Sequence, residues 1–154
     1  MSRIDIVSHD TANAKQRDLL SDIEGKSGMV PNFLAILSHS PDALNAFLGL
    51  HHIAEAGQLD SQTRERIALV VAESNSCEYC VSAHSAIGRK AGLSYAEIES
   101  ARAGTSENTR AAAAVSFAQA LKHHLGDVTQ REIDGCARQD VATPKLRRSS
   151  LMWG

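Results

Sequence analysis

An all-α fold is predicted by three features of the sequence. Aromatic residues make up only 4% of the chain, while alanine blocks such as Ala111 to Ala114 recur, and strands prefer aromatic and β-branched residues. Apolar residues return at three- and four-residue spacing along most of the length. Between these stretches stand Ser, Thr, Asp or Asn followed by helix formers, or glycine after a basic turn, which are helix starts and stops.

The elements follow in order. Residues Asp10 to Glu24 read as a first helix on Leu19, Leu20 and Ile23, with Asp10 and Thr11 as caps. The run Gly25-Lys26-Ser27-Gly28 is expected to break it, because glycine permits positive φ. Pro31 suits the first turn of a short helix carrying Phe33, Leu34, Ile36 and Leu37. Ser40-Pro41-Asp42 opens the next helix, which runs to about Ala56. Gly57 to Asp60 is a turn, and Ser61 begins another helix. Its run Ile67 to Ala72 is almost continuously apolar, a pattern also open to a buried strand; the charged lead-in Arg64-Glu65-Arg66 and the alanines favour a buried helix.

Ser76 is the expected cap for a helix from Cys77 to about Ala91, with Arg89 and Lys90 in its last turn and Gly92 as the stop. Ser94 to Ala103 follows, with Glu97 at capping-box spacing from Ser94. A long alanine-rich helix runs from Ser106 or Glu107 to His124, and Val128-Thr129 opens a last one to about Arg138. Residues 1–139 therefore read as one helical domain. Residues 140–154, with Pro144, Lys145, Arg147 and Arg148, read as an atypical solvated tail in which Trp153 could dock on an apolar surface.

The chain has 154 residues, enough for a sizeable core without disulfide staples. Its formal charge of −2 argues against nucleic acid as a partner. No stretch reaches the roughly 20 apolar residues of a membrane span, and the start lacks the apolar run of a signal peptide. A cytoplasmic location, with thiols in a reducing pool, is expected. Three cysteines, an odd number, do not make a secreted disulfide framework. There is no Walker loop, GxGxxG or HExxH.

The chemistry concentrates in Cys77-Glu78-Tyr79-Cys80-Val81-Ser82-Ala83-His84. At 100° per residue, Cys77, Cys80 and His84 fall within about 60° of one another on a helix. Two cysteines three apart can close a disulfide across a first turn, where backbone N–H groups also stabilise a thiolate. A histidine at i+4 from Cys80 can take the thiol proton, and the thiolate is the reactive form. Structural zinc is an alternative, but it wants a fourth ligand from Cys136 or one of His51, His52, His123 and His124. Two inert core cysteines are another. Glu65 could be a surface charge paired with Arg64 or Arg66, and Glu73, at i−4 from Cys77, could compete for its role.

Glu65, then Cys77-x-x-Cys80-x-x-x-His84, resembles the alkylhydroperoxidase D-like, carboxymuconolactone decarboxylase-like superfamily, in which a glutamate stands twelve residues before the first cysteine. Met29-Val30-Pro31-Asn32-Phe33, His39-Ser40-Pro41 and Arg64-Glu65-Arg66-Ile67-Ala68 fit the same family, and the resemblance spans roughly residues 15–125. The cysteine pair points to its thiol-peroxidase branch, since the decarboxylase branch lacks the pair. The resemblance implies an all-α bundle in which Glu65 meets His84, and a proton relay from cysteine through histidine to glutamate. It implies that Cys80 attacks a hydroperoxide and that Cys77 resolves the sulfenic acid to a disulfide, with exchanged roles also open. It implies a dithiol or protein-thiol reductant, a homo-oligomer (trimer or hexamer), and neither cofactor nor metal. A non-enzymatic redox sensor or scaffold oligomer is the alternative. Two features depart from the family: Tyr79 stands where the best-characterised peroxidase members carry a second histidine, and the final apolar helix is replaced by Ala142 to Arg148.

Overall fold

The computed structural model describes residues 3–139 and 141, and every regular element among them is a helix. Backbone contacts divide the chain into two compact units, one ending at Ala56 and one beginning at Gly57.

The first unit holds α1 (Ala14–Ser27), α2 (Asn32–Leu37) and α3 (Pro41–Glu55). α1 starts later than its sequence suggests because Thr11 is engaged elsewhere. Its N–H and that of Ala12 bond to the Ser8 carbonyl, closing a turn. Asn13 and Gln16 then form a reciprocal capping box. Gly25 does not break the helix; Gly28 ends it, with φ 79° in the left-handed region. Pro31 caps α2 rather than entering it, and its carbonyl accepts from Leu34 and Ala35. Ser40 caps α3, with Pro41 in its first turn. Leu44 and Leu34 pack with Ile23, and Leu20 packs with Val7 and Ala35. His51 lies over Phe47 and near Glu55.

The second unit is organised around α4 (Ser61–Ser74), capped by Asp60. It packs against α5 (Glu78–Lys90), α6 (Tyr95–Arg102) and α7 (Thr109–His123), and α7 packs on α8 (Gln130–Ala137). The apolar run 67–72 is helical, and being surrounded explains its lack of a polar face. Leu69 faces Leu93, Ile98 and Ala101, while Ile67 joins Ala114, Phe117 and Cys136. α7 opens on Asn108, one or two residues beyond the predicted start, because Asn108 Oδ1 accepts from Ala111 N–H. α8 opens as expected on Thr129, boxed with Glu132. Val141 is buried, so the reading of a solvated tail fails at that position. The rest of that stretch, residues 140 and 142–154 with Trp153, lies outside the described residues.

Arg66 is buried on α4, and its guanidinium donates to Glu97 at 2.6 Å. Glu97 also completes the expected α6 capping box with Ser94. The Ser94 backbone N–H and then the Ser94 hydroxyl hold the Glu97 carboxyl below its ordinary value of 4.5, against an opposing desolvation and with lesser help from Arg66. A lowered pKa in the folded state contributes stability above the unfolded value, and that stability is lost as the pH falls through the folded value. Glu97→Gln is therefore expected to be less stable than the parent at about pH 7, with the gap narrowing at about pH 3. Urea midpoints at the two pH values check this; an unchanged gap would contradict it.

Candidate active site

α4 carries one half of the site and α5 the other. Glu65 and His84 meet across the two helices at 2.8 Å, Oε2 to Nδ1. A carboxylate only accepts, so Nδ1–H is the donor, and this leaves Nε2 without a proton in the neutral imidazole. The Glu65 side chain is 15% exposed and that of His84 35%, so the pair lies at the edge of the packed interior. The surface-pairing alternative for Glu65 does not hold, since Arg66 turns to Glu97 and Arg64 Nη1 donates to the Leu59 carbonyl. Glu73 does not compete: its carboxylate binds Arg102 Nε at 2.8 Å.

Gly88 leaves room for Leu93, where the chain folds back after α5. It is the buried residue of α5, and a Cβ there would stand 3.1 Å from Leu93 Cδ1 and 3.7 Å from Glu65 Cβ. Its carbonyl accepts from Leu93 N–H, closing α5 with Gly92 at φ 95°. Gly88 lies one turn beyond His84 on the same helix face. A glycine inside a helix costs about 1 kcal/mol in propensity, and that cost was its only signal in the sequence.

Cys77 and Cys80 are joined in a disulfide, with Cα atoms 5.2 Å apart. Cys77, not Ser76, is the N-cap of α5, and the Cys80 backbone N–H donates to Cys77 Sγ at 3.3 Å. The reason lies in how α4 ends. Ser76 N–H bonds to the Glu73 carbonyl and Cys77 N–H to the Ala72 carbonyl, a closure that needs a left-handed residue between them. Ser76 takes that conformation, φ 52°, and so cannot also adopt the extended cap geometry. A non-glycine residue held there stores on the order of 1 kcal/mol beside the disulfide.

Other candidates fall away from this group. Tyr79 is 57% exposed and has no hydrogen-bond partner among the described residues. His124 lies 3.6 Å from Glu132, and His123 stacks edge-on against it at an exposed helix end. Cys136 is a free, buried thiol that points at the Val141 carbonyl, 3.6 Å away, and burial pushes its pKa up. No hydrogen bond among the described residues joins His84 to either sulfur in the disulfide form. No cluster of three or more metal-ligating side chains occurs among them, and none of their helices is long and apolar enough to cross a membrane.

Comparison with known proteins matches this arrangement to a family. No curated protein matches the chain. Among solved structures it is similar to a crystal structure described as an alkylhydroperoxidase AhpD core, an uncharacterized peroxidase-related protein from Ralstonia eutropha JMP134. The two are 25% identical with a TM-score of 0.77, over 92% of this chain and 77% of that one. The family model for the carboxymuconolactone decarboxylase family matches residues 41–123, a stretch that contains Glu65, both cysteines and His84. That match takes in more than half of the sequence, and with the shared helical architecture it establishes that this chain belongs to the carboxymuconolactone decarboxylase family, within the AhpD-like fold.

Proposed function

We propose that the protein is a CxxC-dependent thiol peroxidase that reduces small hydroperoxides at the expense of a dithiol or protein-thiol reductant. The observation that carries this reading is the pairing of Glu65 with His84 at 2.8 Å, one turn beyond a cysteine pair already close enough to form a disulfide. The family also contains decarboxylases, but lactone decarboxylation has no use for a closing cysteine pair.

The cycle runs as follows. His84 Nε2 takes the Cys80 thiol proton, and Glu65 stabilises the resulting imidazolium. The Cys80 thiolate attacks the outer peroxide oxygen; the O–O bond breaks, Cys80 becomes a sulfenic acid, and the departing alkoxide takes a proton from His84 as an alcohol. The Cys77 thiol then attacks the sulfenic sulfur, a disulfide forms, and water leaves. Two electrons and two protons from the reductant restore both thiols. A cytoplasmic setting suits a cycle that needs a thiol pool. A homo-oligomer, trimer or hexamer, belongs to the same reading and is supported by the family resemblance.

Peroxide consumption by the reduced protein, with dithiothreitol as the recycling donor, tests the proposal. Turnover well above that of dithiothreitol alone is expected, with one internal disulfide and no free thiol at Cys77 and Cys80 after peroxide. Consumption equal to the protein-free control would sink it.

A further inference from the structure

A cavity of about 430 Å³ opens beside the disulfide, and of the two cysteines it is Cys77 that lines it. Glu73, Glu78 and Arg102 line it too, with Ser76 at its edge. Arg102 is held from two sides, by Glu73 through Nε at 2.8 Å and by Glu99 through Nη1 at 2.7 Å. Glu78, the residue after Cys77, has no ion-pair partner among the described residues. Two lining carboxylates thus stand against one guanidinium, a net charge of −1 on the cavity wall, and Glu99, outside the lining, offsets Arg102 further. The N-terminus of α5 contributes about half a positive charge, too little to reverse that sign.

From this geometry we infer that the reductant which resets the disulfide enters through this cavity, attacks Cys77, and is selected as a neutral or cationic thiol over an anionic one. The inference rests on the redox reading of the cysteine pair. An incoming thiolate forms a bond to Cys77 Sγ, the Cys77–Cys80 bond breaks, and Cys80 leaves as a thiolate. That division of labour returns the thiolate to the cysteine one turn from His84. A second thiol then attacks the mixed disulfide, releasing an oxidised thiol pair and Cys77. Two thiols are oxidised and one protein disulfide is reduced. The carboxylates repel a negative tail and attract a positive one, while the thiolate itself is common to every donor.

The test uses oxidised protein and three monothiols of similar size: cysteamine, 2-mercaptoethanol and 2-mercaptoethanesulfonate. Disulfide opening is followed without peroxide. Each rate is expressed per thiolate and divided by the rate of the same thiol on a small neutral disulfide, which removes intrinsic nucleophilicity. The cationic thiol is expected to exceed the anionic one by about tenfold at low ionic strength. The ratio is expected to fall towards one at about 1 M salt, where screening reaches about 3 Å. Glu78→Gln should lower the low-salt ratio. Alkylation after a single attack, followed by peptide mass analysis, should find the added thiol on Cys77 and the alkyl group on Cys80. A low-salt ratio below about threefold, a ratio unmoved by Glu78→Gln, or the added thiol on Cys80 would overturn the inference. Because no peroxide is used, a failed peroxidase assay beside an intact charge preference removes the peroxidase reading alone. A disulfide that none of the thiols opens removes both.

Discussion

Cys80→Ser is expected to abolish peroxide consumption, lowering the second-order rate constant by at least about 10³-fold, within what a lost nucleophile costs other enzymes. A serine hydroxyl one turn from His84 keeps the packing but ionises far less readily than a thiol, and the thiolate is the attacking species. Cys77→Ser separates the two roles. It should still react once with peroxide, because Cys80 and the Glu65–His84 pair remain, but the product should stay as a sulfenic acid that dimedone traps. Cys136→Ser should match the parent, since that thiol is buried and its pKa is raised. Stopped-flow peroxide decay with mass analysis of the adducts reads all three. If Cys80→Ser and Cys77→Ser both retained the parent rate, the peroxidase reading would fail. If Cys77→Ser lost the first reaction and Cys80→Ser kept it, the cysteines would exchange roles.

Much of this site was legible in the sequence because helical spacing is a local rule. The three-residue step from Cys77 to Cys80 and the four-residue step to His84 suffice to put the three residues on one face. The meeting of Glu65 with His84, on another helix, came only from the family resemblance, since spacing cannot say which helices touch. The Ser94–Glu97 capping box was legible for the same local reason, since it completes itself within one turn, and so was the start of α8 at Thr129. The misses were competitions between neighbours. Ser76 looked like a cap by residue type, yet the end of α4 had already claimed it in a left-handed conformation, and the cap passed to Cys77. Thr11 was likewise taken by the Ser8 turn, and Asn13 began α1 in its place. Gly88 was invisible because its value lies in the space it leaves for the Leu93 side chain. The cavity beside Cys77 needs Arg102, twenty-five residues further along the chain, and nothing in the local pattern marks that residue.

Glu65→Gln is expected to slow the reaction with peroxide by about 10- to 100-fold while leaving the melting temperature within about 4 °C of the parent. The glutamine carbonyl can still accept the His84 Nδ1–H, so the imidazole keeps its tautomer and orientation. What disappears is the negative charge that favours the imidazolium once the Cys80 proton has moved. His84→Ala removes the proton acceptor itself and should cost about 10²- to 10⁴-fold, the range of general acid–base catalysis. If the two residues act as one relay, the double variant should be no slower than His84→Ala, because a carboxylate without its histidine has nothing to stabilise. A carboxylate that served only to brace α4 against α5 predicts the opposite pattern: a lower melting temperature, little change in rate, and losses that multiply in the double variant. The same measurement bears on Tyr79. With no second histidine between the cysteines, the relay through His84 and Glu65 carries the whole proton transfer, so Tyr79→Phe should leave the rate within about twofold of the parent. The Tyr79 side chain is exposed and bonds to nothing among the described residues, so a larger loss would mean that its hydroxyl takes part once the disulfide is open.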